Sequence, residues 1–276
     1  MTGLHPPGPA GRGDAPGALL IVAHGSRDPR HAAAVSALTA RVRALAPNLR
    51  VATGFLDFSI PGIGEALDGL HAAGERHVVA LPLLLSRAFH AKTDIPAALA
   101  AHRDRLPGLT VQQADVLGPR TPAGTPAGAA EALLTAALER RLAQAGLRAE
   151  DRSRTGVVLA AAGSTDPEAL AGIARLARHW RRTGRWCAVR PAFASASSPT
   201  TAEAVRALRA DGIDRVAVAP YVIAPGRLPD RILSGAREAG ADLVAAVLGP
   251  SPELARLMLL RYRAALAADS RTRLAG

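Results

Sequence analysis

ALLIVAHGSRDP, residues 18–29, returns 138 positions later as GVVLAAAGSTDP, residues 156–167. Each copy opens on six residues that are almost wholly apolar, the length and character of a buried parallel strand. A glycine then lets the backbone turn sharply. An aspartate follows, able to cap a helix, and a proline, which suits the first helical turn because its missing N–H has no partner there anyway. The unit is therefore strand, tight turn, helix, and the chain contains it twice. Self-similarity at a fixed offset continues without a gap. Phe55, Ser59, Pro61, Glu65, Gly74 and Pro82 return as Phe193, Ser197, Pro199, Glu203, Gly212 and Pro220.

Working outward, further strands are expected at 51–56, 77–84 and 110–117, and helices at 30–46, 61–73, 95–106 and 129–145. After a polar linker at 148–154 the pattern restarts. Strands are expected at 156–161, 187–193, 214–222 and 242–248, and helices at 167–182, 200–210, 228–239 and 252–267. Strands alternating with helices imply a parallel sheet with right-handed crossovers. The expected fold class is α/β: two similar domains, each a four-stranded, mostly parallel sheet flanked by helices, facing each other across a cleft. The expected bounds are a disordered Pro/Gly tail at 1–17, one domain at 18–146 and a second at 155–268.

Composition narrows the function classes. Apolar residues make up 49% of the 276-residue chain, enough for two cores, and aromatic residues only 3%, so the cores are aliphatic. Apolar runs such as Val78–Leu85 fall far short of a membrane span, and residues 1–17 lack the apolar stretch of a secretory signal. One cysteine, Cys187, excludes an internal disulfide and a multi-cysteine metal site. A cytoplasmic protein without membrane contact is expected. The net charge of +11 invites a polyanionic partner. Nucleic acid is disfavoured, because the basic residues are scattered and stacking aromatics are scarce. A small ligand bearing several carboxylates uses the same charge.

The repeat also serves as an internal control. His24 and His90 do not return; Ala162 and Leu228 stand in their places, and Ser195 stands for Asp57. The second copy keeps what the turn needs and lacks these three. His24 follows strand one, Asp57 follows strand two and His90 lies shortly after strand three. All three thus belong to the carboxyl rim of one sheet, where open α/β sheets bind ligands. Each has a plainer reading, as an exposed turn histidine, a loop aspartate, or a loop histidine ahead of a helix capped by Asp94. Arg87 and Lys92, the chain's only lysine, flank His90 in an irregular stretch of the kind that carries sites. His5, His31, His71, His77, His102 and His179 read as solvated tail, helix-face or edge residues. In the second half, Tyr221, Arg227 and Arg231 occupy the region equivalent to the His90 loop.

AHGSRDP (23–29), FLDFSIP (55–61) and PLLLSRAFHAKTDIP (82–96), in that order and spacing, resemble the type II tetrapyrrole chelatases, the sirohydrochlorin ferrochelatases and cobaltochelatases. The likeness is close over about residues 18–120, and the second half resembles the degenerate partner domain of the two-domain, single-chain members. It implies insertion of Fe²⁺ or Co²⁺ into sirohydrochlorin without ATP, for sirohaem or cobalamin synthesis. It implies no permanent cofactor, since the divalent metal is a substrate. It places catalysis and metal binding on His24 and His90, with Asp57 as a further metal ligand where the family has glutamate. Ser26, Arg27, Arg87 and Lys92 are the expected substrate-binding residues, and a monomer or weak dimer is the expected state. Neutral imidazole suits such metals and accepts protons near neutral pH. Histidine phosphatases also carry His-Gly after a first strand, but with a preceding arginine where this chain has Ala23. A carrier that holds metal or tetrapyrrole without turnover would keep the same ligands.

Overall fold

A computed structural model of the chain describes residues 17–87, 90–103 and 105–275; for His90, Arg103 and residues 272–275 it describes the backbone alone. The expected tail, apart from Gly17, lies outside these residues, as do Ala88 and Phe89.

Strand β1 (Ala18–Ala23) is buried along its whole length. Its alternate side chains enter two different cores: Leu19, Ile21 and Ala23 on one face, Ala18, Leu20 and Val22 on the other. A strand covered on both faces belongs in the middle of a sheet. β2 (Val51–Phe55) and β3 (His77–Pro82) flank it, and β4 (Thr110–Gln113) lies outside β3. The order is β2-β1-β3-β4, every pair parallel, with Leu19 opposite Val51 and Ala18 opposite Val78. The second half repeats this with β5 (Thr155–Ala161), β6 (Ala188–Phe193), β7 (Arg215–Tyr221) and β8 (Leu243–Val244) in the order β6-β5-β7-β8. The two similar four-stranded parallel sheets expected from the sequence are present.

The edge strands β4 and β8 are shorter than expected. Residues 114–117 and 245–248 are no longer strand, although Ala114 and Ala245 still donate to the Ala80 and Val218 carbonyls at 2.8 and 2.9 Å, and Leu117 and Leu248 are fully buried there. An edge strand pairs on one side only, so an apolar run at its end reflects covering by helices as readily as strand extension.

The helices are α1 (Pro29–Leu45), α2 (Ile63–Ala72), α3 (Ile95–Arg103), α4 (Ala129–Gln144), α5 (Pro167–Gly184), α6 (Thr201–Ala210), α7 (Arg227–Glu238) and α8 (Pro252–Ala275). Asp28 and Asp166 cap α1 and α5 by accepting from Arg30 N and Glu168 N, each at 2.9 Å. Glu65 and Glu203 reach back to the Gly62 and Thr200 amides at 2.9 and 2.8 Å, which explains why both carboxylates persist in both copies. A π-helical turn, His90–Asp94, runs straight into α3, so Asp94 lies inside that turn, directly before the helix. No described helix is long and apolar enough to cross a membrane.

The two halves exchange their last helices. α4, which follows the first sheet in sequence, packs on β7 and α5 of the second half. α8, which ends the chain, packs on β3 and α1 of the first half and against α4. Arg140 of α4 holds Glu253 of α8 in a forked ion pair at 2.6 and 3.0 Å, and Arg141 donates to the Leu248 carbonyl at 2.7 Å. From α8, Arg261 is buried and donates to the carbonyls of Gly118 (2.7 Å) and Arg120, and Tyr262 donates to the Gly17 carbonyl. One core therefore runs between the sheets, from Leu19 and Ile21 through Leu138 and Leu257 to Val157 and Trp180. Smaller cores lie on the outer faces under α2 and α3, and under α6 and α7.

Candidate functional site

The β1–α1 turn and the β2–α2 loop meet at the rim of the first sheet. Gly25 makes this possible: its φ is +92°, and a Cβ there would lie 1.7 Å from the Asp57 carbonyl oxygen. Asp57 N donates to the His24 carbonyl at 2.9 Å, closing the two segments together. His24 and Asp57 are therefore neighbours, as their positions after β1 and β2 require. Gly163 repeats the arrangement at φ +95°, where a Cβ would lie 1.8 Å from the Ser195 carbonyl. The rim backbone is the same in both halves, and only the first carries His24 and Asp57.

The His24 Nδ1 lies 3.2 Å from the Gly25 carbonyl. A carbonyl only accepts, so it is the Nδ1-protonated tautomer that makes this bond, and that tautomer keeps the lone pair of the neutral ring on Nε2. Phe58 stacks near His24, with ring centroids 6.3 Å apart at 28°, and the Arg27 guanidinium sits 5.2 Å above the Phe58 ring. Asp57 Oδ1 accepts from the Phe58 amide at 2.8 Å. Ser26 Oγ accepts from Asp28 N at 3.1 Å, and Ser164 Oγ does the same for Asp166 N at 3.0 Å, so this hydroxyl builds the turn in both halves.

His90 opens the π-helical turn after β3, near the same rim in the topology, and its side chain lies outside the described residues. Among the described residues no three His, Cys, Asp or Glu side chains gather as a group able to hold a metal. Arg87 is engaged by Asp115 at 3.0 Å. Lys92 crosses to the second half, where Asp166 and Glu168 at the start of α5 hold its ammonium at 2.6 and 3.6 Å. The hydrogen bond from Lys92 pulls the Asp166 carboxyl below its usual range, and the same bond raises the Lys92 ammonium. An equivalent bridge joins Arg30 of α1 to Asp230 of α7 at 2.8 Å. Between these elements lies an open groove of about 530 Å³ lined by Ser26, Arg27, Asp28, Arg227, Asp230, Arg231 and Ser234. Arg227 and Arg231 thus face the rim of the first half. Tyr221 does not: it is buried, with its hydroxyl 3.5 Å from the Leu85 carbonyl, and burial raises its phenol above the ordinary value.

His31 is a residue the sequence reading set aside as solvated. It is half-buried on α1, with Nδ1 enclosed and without a hydrogen-bond partner among the described residues. Burial, and next the charge of His24, lower its pKa, against a smaller opposing effect of Asp28. Its counterpart in the second copy is Ala169, so the comparison that singled out His24 also singles out His31.

The CbiX family model matches residues 18–123 and again 156–265. The sirohydrochlorin cobaltochelatase of Priestia megaterium is 28% identical over 216 residues, covering 78% of this chain and 66% of that protein, just under two thirds of its length. The sirohydrochlorin ferrochelatase of the same organism is 27% identical over 248 residues, 87% of each chain. Among solved structures, SirB from Bacillus subtilis with Fe³⁺ superposes with a TM-score of 0.77 at 24% identity, over 92% of this chain and 97% of that one. At that identity the superposition speaks for the fold.

Proposed function

The chain belongs to the CbiX family, whose model spans both of its halves, and from that membership we propose that it is a sirohydrochlorin chelatase inserting a divalent metal, Fe²⁺ or Co²⁺, into the macrocycle without ATP. The observation that carries the reading is the rim shared by the two halves: one backbone arrangement, with His24 and Asp57 on the first and Ala162 and Ser195 on the second. A fold needs neither the imidazole nor the carboxylate there.

In this reading His24, His90 and Asp57 bring the metal to the macrocycle. Insertion replaces two pyrrole N–H bonds with bonds to the metal and releases two protons, for which neutral imidazoles are suitable acceptors. The peripheral carboxylates of the substrate fit the arginine-lined groove, where Arg27 from the first half faces Arg227 and Arg231 from the second. Ser26 lines the same groove. Arg87 and Lys92 join in only by exchanging Asp115, or Asp166 and Glu168, for the substrate. The two halves of one chain supply a single site, which a monomer or weak dimer carries equally well, and a cytoplasmic location belongs to the same reading.

The test is anaerobic metal insertion into sirohydrochlorin with Fe²⁺ and with Co²⁺, followed by absorbance. Multiple turnover is expected with at least one metal. His24→Ala and His90→Ala should each lower the rate by about 100-fold or more, with unchanged circular dichroism. Stoichiometric metal uptake without turnover would favour the carrier, and near-full turnover by His24→Ala would remove that residue from the mechanism.

A further inference from the structure

Phe58 and Ile60 are 50% and 87% exposed, two large apolar side chains within three residues, on the loop that also carries Asp57. Neither position is explained by folding. Phe58 has φ +58°, a conformation that a bulky residue enters at a cost, and it gains little burial there. The second half supplies the comparison. Ala196 occupies the equivalent position at φ +59°, and Ser198 replaces Ile60. The backbone of the loop is thus the same without an aromatic ring. Arg27, whose guanidinium lies over the Phe58 ring, is replaced by Thr165. His24, Arg27, Phe58 and Ile60 are all lost together, while Gly25, Ser26, Ser59 and Pro61 remain as Gly163, Ser164, Ser197 and Pro199.

Phe58 meets both His24 and Arg27, Ile60 stands two residues further along the same loop, and the scaffold does without all four, which points to one ligand. Its chemistry follows from theirs. Phe58 and Ile60 offer an apolar surface in water, Arg27 adds a cation beside it, and the groove beyond contributes Arg227 and Arg231. A large flat molecule with apolar faces and an anionic edge fits this set. We infer that Phe58, extended by Ile60 and topped by Arg27, is the platform that receives a flat face of the tetrapyrrole and aligns its centre with His24. The inference rests on the chelatase reading and adds to it a substrate-positioning surface separate from the metal ligands.

A stacked aromatic contact stabilises by dispersion and by removal of apolar surface from water, whatever metal is present. Binding of metal-free sirohydrochlorin is therefore the direct readout, measured by fluorescence titration. Phe58→Ala should weaken it by at least about tenfold, Ile60→Ser by less, and Phe58→Tyr should retain it. Co²⁺ binding in the absence of the macrocycle, followed by calorimetry, should be the same in wild type and Phe58→Ala. Thermal stability should be little changed, since alanine already stands at this place in the second half. Wild-type affinity in both Phe58→Ala and Ile60→Ser would overturn the platform and leave the chelatase reading standing. A parallel loss of Co²⁺ binding in Phe58→Ala would also overturn it, because Phe58 would then act through His24. A wild-type protein that binds no sirohydrochlorin would remove the chelatase reading and the platform with it.

Discussion

His31 sits at the third position of α1 with one ring nitrogen enclosed in protein, and its pKa is lowered by burial and by His24. The sign of the pH effect follows. As pH falls through about 6.5, the ordinary histidine value, the unfolded chain takes up a proton at this residue before the folded one does. The stabilising contribution is complete above that pH and is lost as pH falls toward the lowered folded value. The melting temperature of the metal-free protein should therefore drop between pH 7 and pH 5. His31→Ala, which installs the residue of the second copy, should flatten part of that drop; an identical slope in the variant would assign it to other groups. Much at this scale was legible in the chain. Asp28 as a cap, Gly25 as a turn and His24 as a rim residue follow from local chemistry and from the repeat. The engagement of Lys92 by Asp166 was not, because the two residues lie 74 apart along the chain and meet only through the way the two halves approach each other. The burial of Tyr221 under the first half has the same origin. The role of His90 as a metal ligand rests on the family pattern, not on its side-chain geometry.

At the scale of elements, periodicity identified α4 and α8 as helices but could not say which sheet each covers. An apolar stripe such as Leu134, Leu138 and Leu142 fits either sheet equally well, and only the assembled core decides. The Arg140–Glu253 pair marks the result, joining the two exchanged helices. Glu253 is nearly buried, at 7% side-chain exposure, whereas Arg140 is 45% exposed. Burial works against ionising Glu253, yet the hydrogen bonds and charge of Arg140 outweigh it and leave the carboxyl below its usual range. Arg140→Ala would strand that carboxylate. The expected loss clearly exceeds that of an ordinary surface substitution and is measurable by urea unfolding. A loss below about 0.5 kcal/mol, the range of ordinary surface substitutions, would show that apolar packing alone holds the exchange.

The whole molecule is bound by this exchange into one body with a shared central core. A fragment ending at residue 150 keeps α4 without the sheet it covers and leaves the first sheet without α8. Leu254, Leu257 and Met258 are among the buried side chains it would lack, each worth roughly 1.5–3 kcal/mol, against a total stability of about 5–15 kcal/mol for a typical domain. The fragment should show no cooperative thermal transition and should expose apolar surface to a hydrophobic dye; a cooperative melt in a strictly monomeric fragment would contradict this. Nor is self-association an easy refuge, because of the two bridges across the groove. Position 30 meets position 230, and their counterparts, positions 168 and 92, meet in turn, but the signs are reversed: Arg30 with Asp230, Glu168 with Lys92. Two first halves set face to face would bring Arg30 against Lys92, cation on cation. Two second halves would bring Glu168 against Asp230, anion on anion. Each half thus carries an address that only the other can read, and the duplication has become a permanent partnership of unlike halves.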